Sequence, residues 1–300
     1  MNNLNDYLAA NSDDGDLNEV ILNVADACIE IKNVILQGNV GKAGSENAYG
    51  EQQLALDVQS DEVLQKYLKK CDKVGVIASE ELPEEMNVGE GEYGVAYDPL
   101  DGSSLVDVNL SVGTIVSIYK AKTFIGSKGT EMICALFVVY GPRTTMIITW
   151  GKGAHEFELN PLDGEWRLKH ENLKVGAGKM FSPGNLRAAA SDEKYAKVID
   201  RWVKEGYTLR YSGGMVPDIN QIILKGKGIF TYPGYGDTPN GKLRMLFECR
   251  PMSYLMEQAG GMSSDGHGRL LERDLEKLEQ RVPIFVGSRD EVEIVVGMMG

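Results

Sequence analysis

Apolar residues recur at helical spacing between positions 17 and 36, where Leu17, Val20, Ile21, Val24, Cys28, Ile31 and Ile35 follow an acidic stretch suited to a helix N-terminus. The spacing predicts a long amphipathic helix. A loop of Gly, Ser, Glu and Asn at 41–50 precedes a second helical stretch at 60–70. The apolar run 74–78 reads as a short strand ending at Glu80 and Glu81. Another at 95–97 ends at Asp98-Pro99-Leu100-Asp101-Gly102-Ser103-Ser104, where proline and glycine predict a turn. Runs at 114–119, 133–140 and 146–150 are β-rich and joined by turn residues, including Gly141-Pro142-Arg143, so they predict an antiparallel meander. After a glycine-rich stretch at 176–184, helices and strands alternate through 193–204, 207–209, 216–224, 229–232, 243–258, 283–286 and 291–298. This half reads as α/β.

The 300 residues, 43% hydrophobic, are enough for one large two-part domain or two domains with a sizeable core. A net charge of -13 repels nucleic acid and anionic membrane, so a phosphate-bearing ligand would need local cations or a bound metal. Cys28, Cys71, Cys134 and Cys249 form no CxxC pair and read as reduced thiols. Residues 1–16 are polar and acidic, unlike a secretory or transit leader, which leads to the expectation of a cytoplasmic protein. No uncharged apolar run reaches the roughly 18 residues of a membrane helix. No solenoid repeat or low-complexity tract is present.

The strongest local signal is the run from Asp98 to Ser104. Its two aspartates, with the Leu100 carbonyl, can face one hard cation, and an all-oxygen ligand set suits Mg²⁺ or Mn²⁺. Gly102, Ser103 and Ser104 can then offer backbone N–H groups and hydroxyls to a phosphate, particularly if a helix begins there. The competing reading is an ordinary surface turn, since the same residues are good turn formers. Glu80 and Glu81 also read as a solvated acidic surface. Against that, Glu51, Asp57, Glu80, Glu81, Asp98, Asp101 and Glu248 all fall near loops or element ends, where open α/β architectures form sites. So many clustered carboxylates would repel one another without cations. Two rival motifs fail: the glycines at 89–94 fit GxGxxG but precede a strand, and His155-Glu156 lacks a second histidine four residues on.

Taken in order, Ser79-Glu80-Glu81, DPLDGSS at 98–104, LRYSGGMVPDINQII at 209–223, GIFTYP at 228–233 and KLRMLFEC at 242–249 run along nearly the whole chain. With these motifs it resembles the class I fructose-1,6-bisphosphatase and sedoheptulose-1,7-bisphosphatase family, within the lithium-sensitive phosphatase superfamily that includes inositol monophosphatase. The resemblance implies a layered α/β (α+β) sugar-phosphatase fold, with a metal-bearing half at 1–175 and a substrate half at 176–300. It also implies a homo-oligomer, dimer or tetramer, with a small-molecule sugar bisphosphate as its partner. YGPRTT at 140–145, GKMFSPGNLRA at 178–188 and SSDGHG at 263–268 look more like the sedoheptulose enzymes, so the expected substrate is the seven-carbon bisphosphate. A fructose-1,6-bisphosphatase or dual-specificity enzyme is the alternative, and a catalytically inactive sugar-phosphate sensor is an alternative of another class.

By the same resemblance, the metal ligands are Glu80, Asp98, the Leu100 carbonyl, Asp101 and Glu248, holding two or more Mg²⁺ (or Mn²⁺) ions. Asp57 with Glu81 activates water, and Glu51 matches a loop acid that is aspartate in the relatives. Gly102, Ser103, Ser104 and Arg244 hold the scissile phosphate; Arg210, Tyr211, Tyr232 and Lys242 hold the distal one, with Arg143 and Asn185 as further candidates from the sedoheptulose-like stretches. The loop carrying the redox cysteine pair of chloroplast forms reads Gly44 to Tyr49 here, without cysteine, so thioredoxin control by that route is not expected. Glu92, before Tyr93, stands where AMP-inhibited relatives place a lysine, so AMP inhibition is not expected either.

Overall fold

A computed structural model describes residues 3–37, 42–46 and 52–300, with 42–46 and 52–54 as backbone only. The first part comprises α1 (Leu4–Asn11), α2 (Gly15–Leu36), β1 (Lys42–Glu46), β2 (Gln52–Leu54), α3 (Ala55–Leu68), β3 (Val74–Ser79), β4 (Met86–Asn87), β5 (Tyr93–Asp101), β6 (Val112–Tyr119), β7 (Met132–Tyr140), β8 (Thr144–Thr149), β9 (Ala154–Leu159) and β10 (Trp166–Leu173). The second part comprises β11 (Gly176–Pro183), α4 (Glu193–Lys204), β12 (Thr208–Leu209), α5 (Met215–Lys225), β13 (Lys227–Tyr232), α6 (Arg250–Gln258), β14 (Met262–Ser264), β15 (Ile284–Gly287) and α7 (Arg289–Met299). Eight strands form one sheet in the order β10-β9-β8-β7-β6-β5-β3-β4, and five form a second in the order β12-β11-β13-β15-β14. Between β5 and β10 neighbours are antiparallel, which includes the meander expected for β6 to β8, whereas β3 and β5 run parallel.

The apolar side chains sort these elements into five layers. Val20, Val24, Cys28 and Ile31 of α2, with Leu64 of α3, pack on one face of the large sheet against Val95, Tyr97, Val116 and Leu136. On the other face, Ala78, Ala96, Ile115 and Phe137 meet Val216 and Ile219 of α5 and Met252 and Leu255 of α6, which also cover Phe230 and Val286 of the small sheet. Phe181, Ile229 and Phe285 then pack outward on Tyr195, Val198 and Trp202 of α4 and Val292 and Val295 of α7. Successive strand residues point to opposite faces, so the central strands, covered on both sides, are buried throughout. All nine residues of β5 are buried.

The sequence conceals some of this. β9 and β10 carry charge at alternate positions, so their apolar run is broken, and the glycine-rich stretch at 176–184 is in fact strand β11. The helix expected at 243–258 begins instead as a π-helix, Met245–Cys249, before α6. Close packing also makes a specific demand at Gly113 of β6. A Cβ there would lie 2.4 Å from Val216 Cγ1 and 2.5 Å from the Val138 carbonyl, so only glycine lets α5 settle on the sheet. Among the described residues no helix is long and apolar enough to cross a membrane. The four cysteines are unpaired and buried.

Candidate active site

β3 and β5 lie side by side in parallel, with Ser79 paired to Tyr97, so both end at the same edge. Glu80 continues this pairing, its N–H donating to the Tyr97 carbonyl at 3.1 Å. The Asp98-to-Asp101 segment departs from the expected turn. The strand runs on through Asp101, and the register to β6 slips between Asp98↔Ile115 and Asp101↔Gly113. Residues three apart on a regular strand face opposite sides; the extra residue of a bulge brings both aspartates to one side. Pro99 suits the bulge because it has no N–H to leave unpaired, and its carbonyl accepts from Thr114 Oγ1 at 2.9 Å. The chain turns only at Gly102, whose φ of 76° is left-handed, and a 3₁₀ helix begins at Ser103.

Other elements close in on this edge. Asp57, in the first turn of α3, is buried and accepts from Ser103 Oγ at 3.2 Å. Asp101 Oδ2 accepts from the Val216 N–H at 2.7 Å, in the first turn of α5, the helix that Gly113 admits to the sheet. Glu248 lies in the π-helix, where the Cys249 N–H reaches five residues back to the Arg244 carbonyl at 3.1 Å. Its Oε2 accepts from the Arg244 N–H at 2.6 Å. One carboxylate oxygen from each of Asp98, Asp101 and Glu248 falls within 4.8 Å of the others, and all three residues are buried. Burial, followed by repulsion from Asp101 and Glu248, pushes the Asp98 carboxyl well above its usual range. Burial and Glu248 push Asp101 up, although the Val216 N–H opposes this, and burial raises Glu248 against the pull of Arg244.

These groups line a cavity of about 620 Å³. Of the sequence candidates, Asp57, Glu80, Glu81, Asp98, Leu100, Asp101, Gly102, Ser103, Ser104, Tyr211, Tyr232, Lys242, Arg244 and Glu248 line it together. Three candidates do not. Arg143 sits at the tip of the β7–β8 hairpin and pairs with Glu158. Asn185 is buried, with its Nδ2 donating to the Pro233 carbonyl at 3.4 Å. Arg210 uses its backbone N–H on the Phe181 carbonyl at 2.9 Å, and its side chain is not part of the lining. Glu51 lies outside the described residues, as do 47–49 of the cysteine-free loop. The cavity also contains groups that were not singled out in the sequence: Arg187, and Gly213 and Gly214 ahead of α5. Arg187 is two positions from Asn185 in the same motif, but only the short 3₁₀ helix Leu186–Ala190 determines which of the two faces the cavity.

The residues present suit a hard divalent cation. The donors are all oxygen, three buried acids converge with like charge, and the buried Oε2 of Glu80 has no hydrogen-bond partner among the described residues. The other Glu80 oxygen accepts from Arg244 Nη1, the chain's own cation at this edge. Among the described residues no histidine lines the cavity.

Comparison with known proteins agrees with this geometry. Residues 4–171 match the model of the fructose-1-6-bisphosphatase N-terminal domain, and residues 175–300 that of the C-terminal domain. The class 1 fructose-1,6-bisphosphatase of Syntrophotalea carbinolica is 47% identical over 294 residues, covering 96% of this chain and 90% of that one. Other bacterial proteins of the same name match at 45–47%. The chloroplastic sedoheptulose-1,7-bisphosphatase of Triticum aestivum is 40% identical over 294 residues, covering 96% and 74%. The holo crystal structure of Leishmania major fructose-1,6-bisphosphatase superposes with a TM-score of 0.94 at 31% identity, covering 99% and 98%. The chain therefore belongs to the fructose-1,6-bisphosphatase family of sugar bisphosphatases, phosphoric monoester hydrolases that use divalent metal ions.

Proposed function

We propose that the chain hydrolyses the 1-phosphate of fructose-1,6-bisphosphate. The observation that carries this reading is the division of the cavity lining. Carboxylates come from α3, from the ends of β3 and β5, and from the π-helix. Tyr211, Tyr232, Lys242 and Arg187 come from the small-sheet half. A ligand with two phosphates and a polar sugar between them matches such a lining. The six-carbon sugar is preferred over the expected seven-carbon one because the relatives at 45–47% are all named for fructose-1,6-bisphosphate. Sedoheptulose-1,7-bisphosphate is the second reading, favoured by the wheat relative and by the stretches at 140–145, 178–188 and 263–268.

In this reading Asp98, Asp101, Glu248, Glu80 and the Leu100 carbonyl hold two or more Mg²⁺ or Mn²⁺ ions. Such ions polarise a phosphoryl oxygen, lower the pKa of a water and neutralise a leaving alkoxide. The N–H groups and hydroxyls of Gly102, Ser103 and Ser104 orient the 1-phosphate for in-line attack. Asp57, already hydrogen-bonded to Ser103, and Glu81 accept the proton of the attacking water. Tyr211 and Tyr232 donate to the distal phosphate, and Lys242 supplies positive charge. The Tyr211 hydroxyl donates its single proton to the Gly184 carbonyl at 3.1 Å in the ligand-free cavity and would turn it from that carbonyl to the phosphate.

The test is phosphate release with Mg²⁺ and an EDTA control, comparing kcat/KM for the two bisphosphates. The expected result is EDTA-sensitive release that favours fructose-1,6-bisphosphate. The reverse preference would establish the second reading, and release from neither would overturn both. A cytoplasmic homo-oligomer belongs to the same proposal, supported by the unpaired, buried thiols and by the exposed Leu186 and Leu209. Sedimentation of the purified chain at micromolar concentration should show a dimer or tetramer.

A further inference from the structure

The turn that follows Asp101 is only lightly fastened to the rest of the protein. Its 3₁₀ helix, Ser103–Val108, buries none of its residues, and Val108 and Leu110 are exposed. Within the turn the Leu105 N–H donates to the Gly102 carbonyl at 2.8 Å, and the Leu110 N–H donates to the Leu105 carbonyl at 3.0 Å. Outward from it, Ser103 Oγ donates to Asp57, while Leu105 and Val106 are half-buried and pack on the core. A short 3₁₀ turn has weak internal hydrogen bonds, so its position depends on such outside contacts.

Leu105 does not line the cavity, yet its isobutyl group is enclosed by glycines that do. A Cβ on Gly102 would lie 3.3 Å from Leu105 Cδ1, one on Gly213 3.1 Å from Cδ2, and one on Gly214 3.2 Å from Cδ1. Such separations are tighter than ordinary carbon contacts, so a side chain on any of these glycines would press the leucine out of its socket. The far wall of the socket is fixed. The Ser212 N–H donates to Asp218 Oδ1 at 2.9 Å, the Gly214 N–H to Ser212 Oγ at 3.2 Å, and the Val216 N–H to Asp101 Oδ2 at 2.7 Å. Leu105 therefore ties a lightly fastened turn to the rigid lead-in of α5.

We infer that Leu105 is a positioning residue for the scissile phosphate: seated among Gly102, Gly213 and Gly214, it holds the N–H groups and hydroxyls of Ser103 and Ser104 in register with the carboxylate edge. The inference rests on the function proposed above. Donors stabilise a transition state fully only when held to within about 0.5 Å of the productive geometry. An apolar wedge does this without competing for the phosphate. Its loss should appear in kcat, where transition-state geometry counts, with little change in KM, which the sugar and the distal phosphate also support.

The test measures phosphate release from fructose-1,6-bisphosphate with Mg²⁺ by the parent, L105A, L105M, G214A and the double variant L105A/G214A. Gly214 has φ -113° and ψ 145°, which alanine adopts, so G214A adds a methyl group to the socket without backbone strain. L105A and G214A should each lower kcat about tenfold with KM changed less than about twofold, and L105M should recover most of the loss. Because leucine and methyl contest one space, the double variant should be no slower than either single one, whereas independent effects would multiply to about a hundredfold. Hydrogen exchange of the amides at 103–108, faster in L105A than in the parent, reads the turn without turnover. A kcat for L105A within about twofold of the parent, a loss carried by KM alone, multiplying losses or unchanged exchange would overturn the inference. A parent that releases no phosphate would overturn the function reading instead, and exchange would still decide whether Leu105 holds the turn.

Discussion

Two buried groups of acidic chemistry in this molecule lead opposite lives. Glu291, in the first turn of α7, accepts from Arg201 Nη1 at 2.6 Å, Trp202 Nε1 at 2.5 Å and the Tyr207 hydroxyl at 2.6 Å. Burial pushes its carboxyl up, but the hydrogen bonds from Arg201, Trp202 and Tyr207 outweigh that and hold it below its ordinary value. Asp98, Asp101 and Glu248 are buried beside one another, and their carboxyls are held above the ordinary range. The chain supplies all the partners of the first acid and only part of what the second group needs. A buried carboxylate with its full complement of donors is structural fabric; buried carboxylates that mainly face each other are set up to receive a cation.

That contrast can be broken most forcefully at Asp98. D98N should lower kcat/KM for the bisphosphate by about three orders of magnitude, the scale of a lost Lewis-acid site. It should not lower the melting temperature of EDTA-treated protein, because it removes a repulsion. Mg²⁺ at a hundred times its dissociation constant should stabilise the parent by about 2.7 kcal/mol and D98N by much less, as read by thermal unfolding. The opposite pattern, a destabilised apo variant with near-normal turnover, would erase the distinction.

At Glu291 the signs reverse. E291Q should cost about 2–3 kcal/mol in denaturant unfolding, since Arg201 loses its buried counter-charge, while kcat per folded molecule changes far less than in D98N. A smaller effect concerns pH. Because folding depresses the Glu291 pKa, its contribution is complete above the ordinary carboxylate value and is lost as pH falls through the lower folded-state value. Unfolding free energies measured from neutral to strongly acidic pH should therefore decline less steeply on the acid side in E291Q than in the parent.

The smallest expected effect tests a third acid. The Asp14 carboxylate caps α2 through the Leu17 N–H at 3.0 Å and accepts from the Tyr93 hydroxyl at 2.8 Å, while Glu92 pairs with Lys120. An anion approaching this helix end meets carboxylates, so added AMP should leave the rate of phosphate release within about twofold of the control. Strong inhibition would show that the capped end yields to a nucleotide phosphate.

Much of this was legible along the chain wherever a function depends on neighbours in sequence. Glu80 and Glu81 after a strand, and the acids of the Asp98-to-Ser104 run, declare themselves because a strand end and a proline–glycine segment are local events. The bulge is not declared: Pro99 argues for a turn as readily as for a slipped register, and only pairing with β6 decides between them. Arg143 and Arg187 both lie in distinctive stretches, yet one ends at a hairpin tip with Glu158 and the other in the cavity wall. Side-chain chemistry could not separate them, because what differs is the path of the backbone on either side. Strands β9 and β10 escaped for a related reason, since charges at alternate positions break the apolar run on which the strand signal depends.

The π-helix at Met245–Cys249 gives the site a dependence on counting. Each residue added to or removed from a helix rotates the remainder of that helix by about 100°, and here one surplus residue is taken up just where Glu248 must meet Asp98 and Asp101. Conservative exchanges of the apolar side chains in this turn change its volume, whereas a change in their number changes its phase. Deleting one of them should abolish phosphate release even if circular dichroism shows the helical content retained. The position of the acid is thus stored in the length of the sequence as much as in its letters.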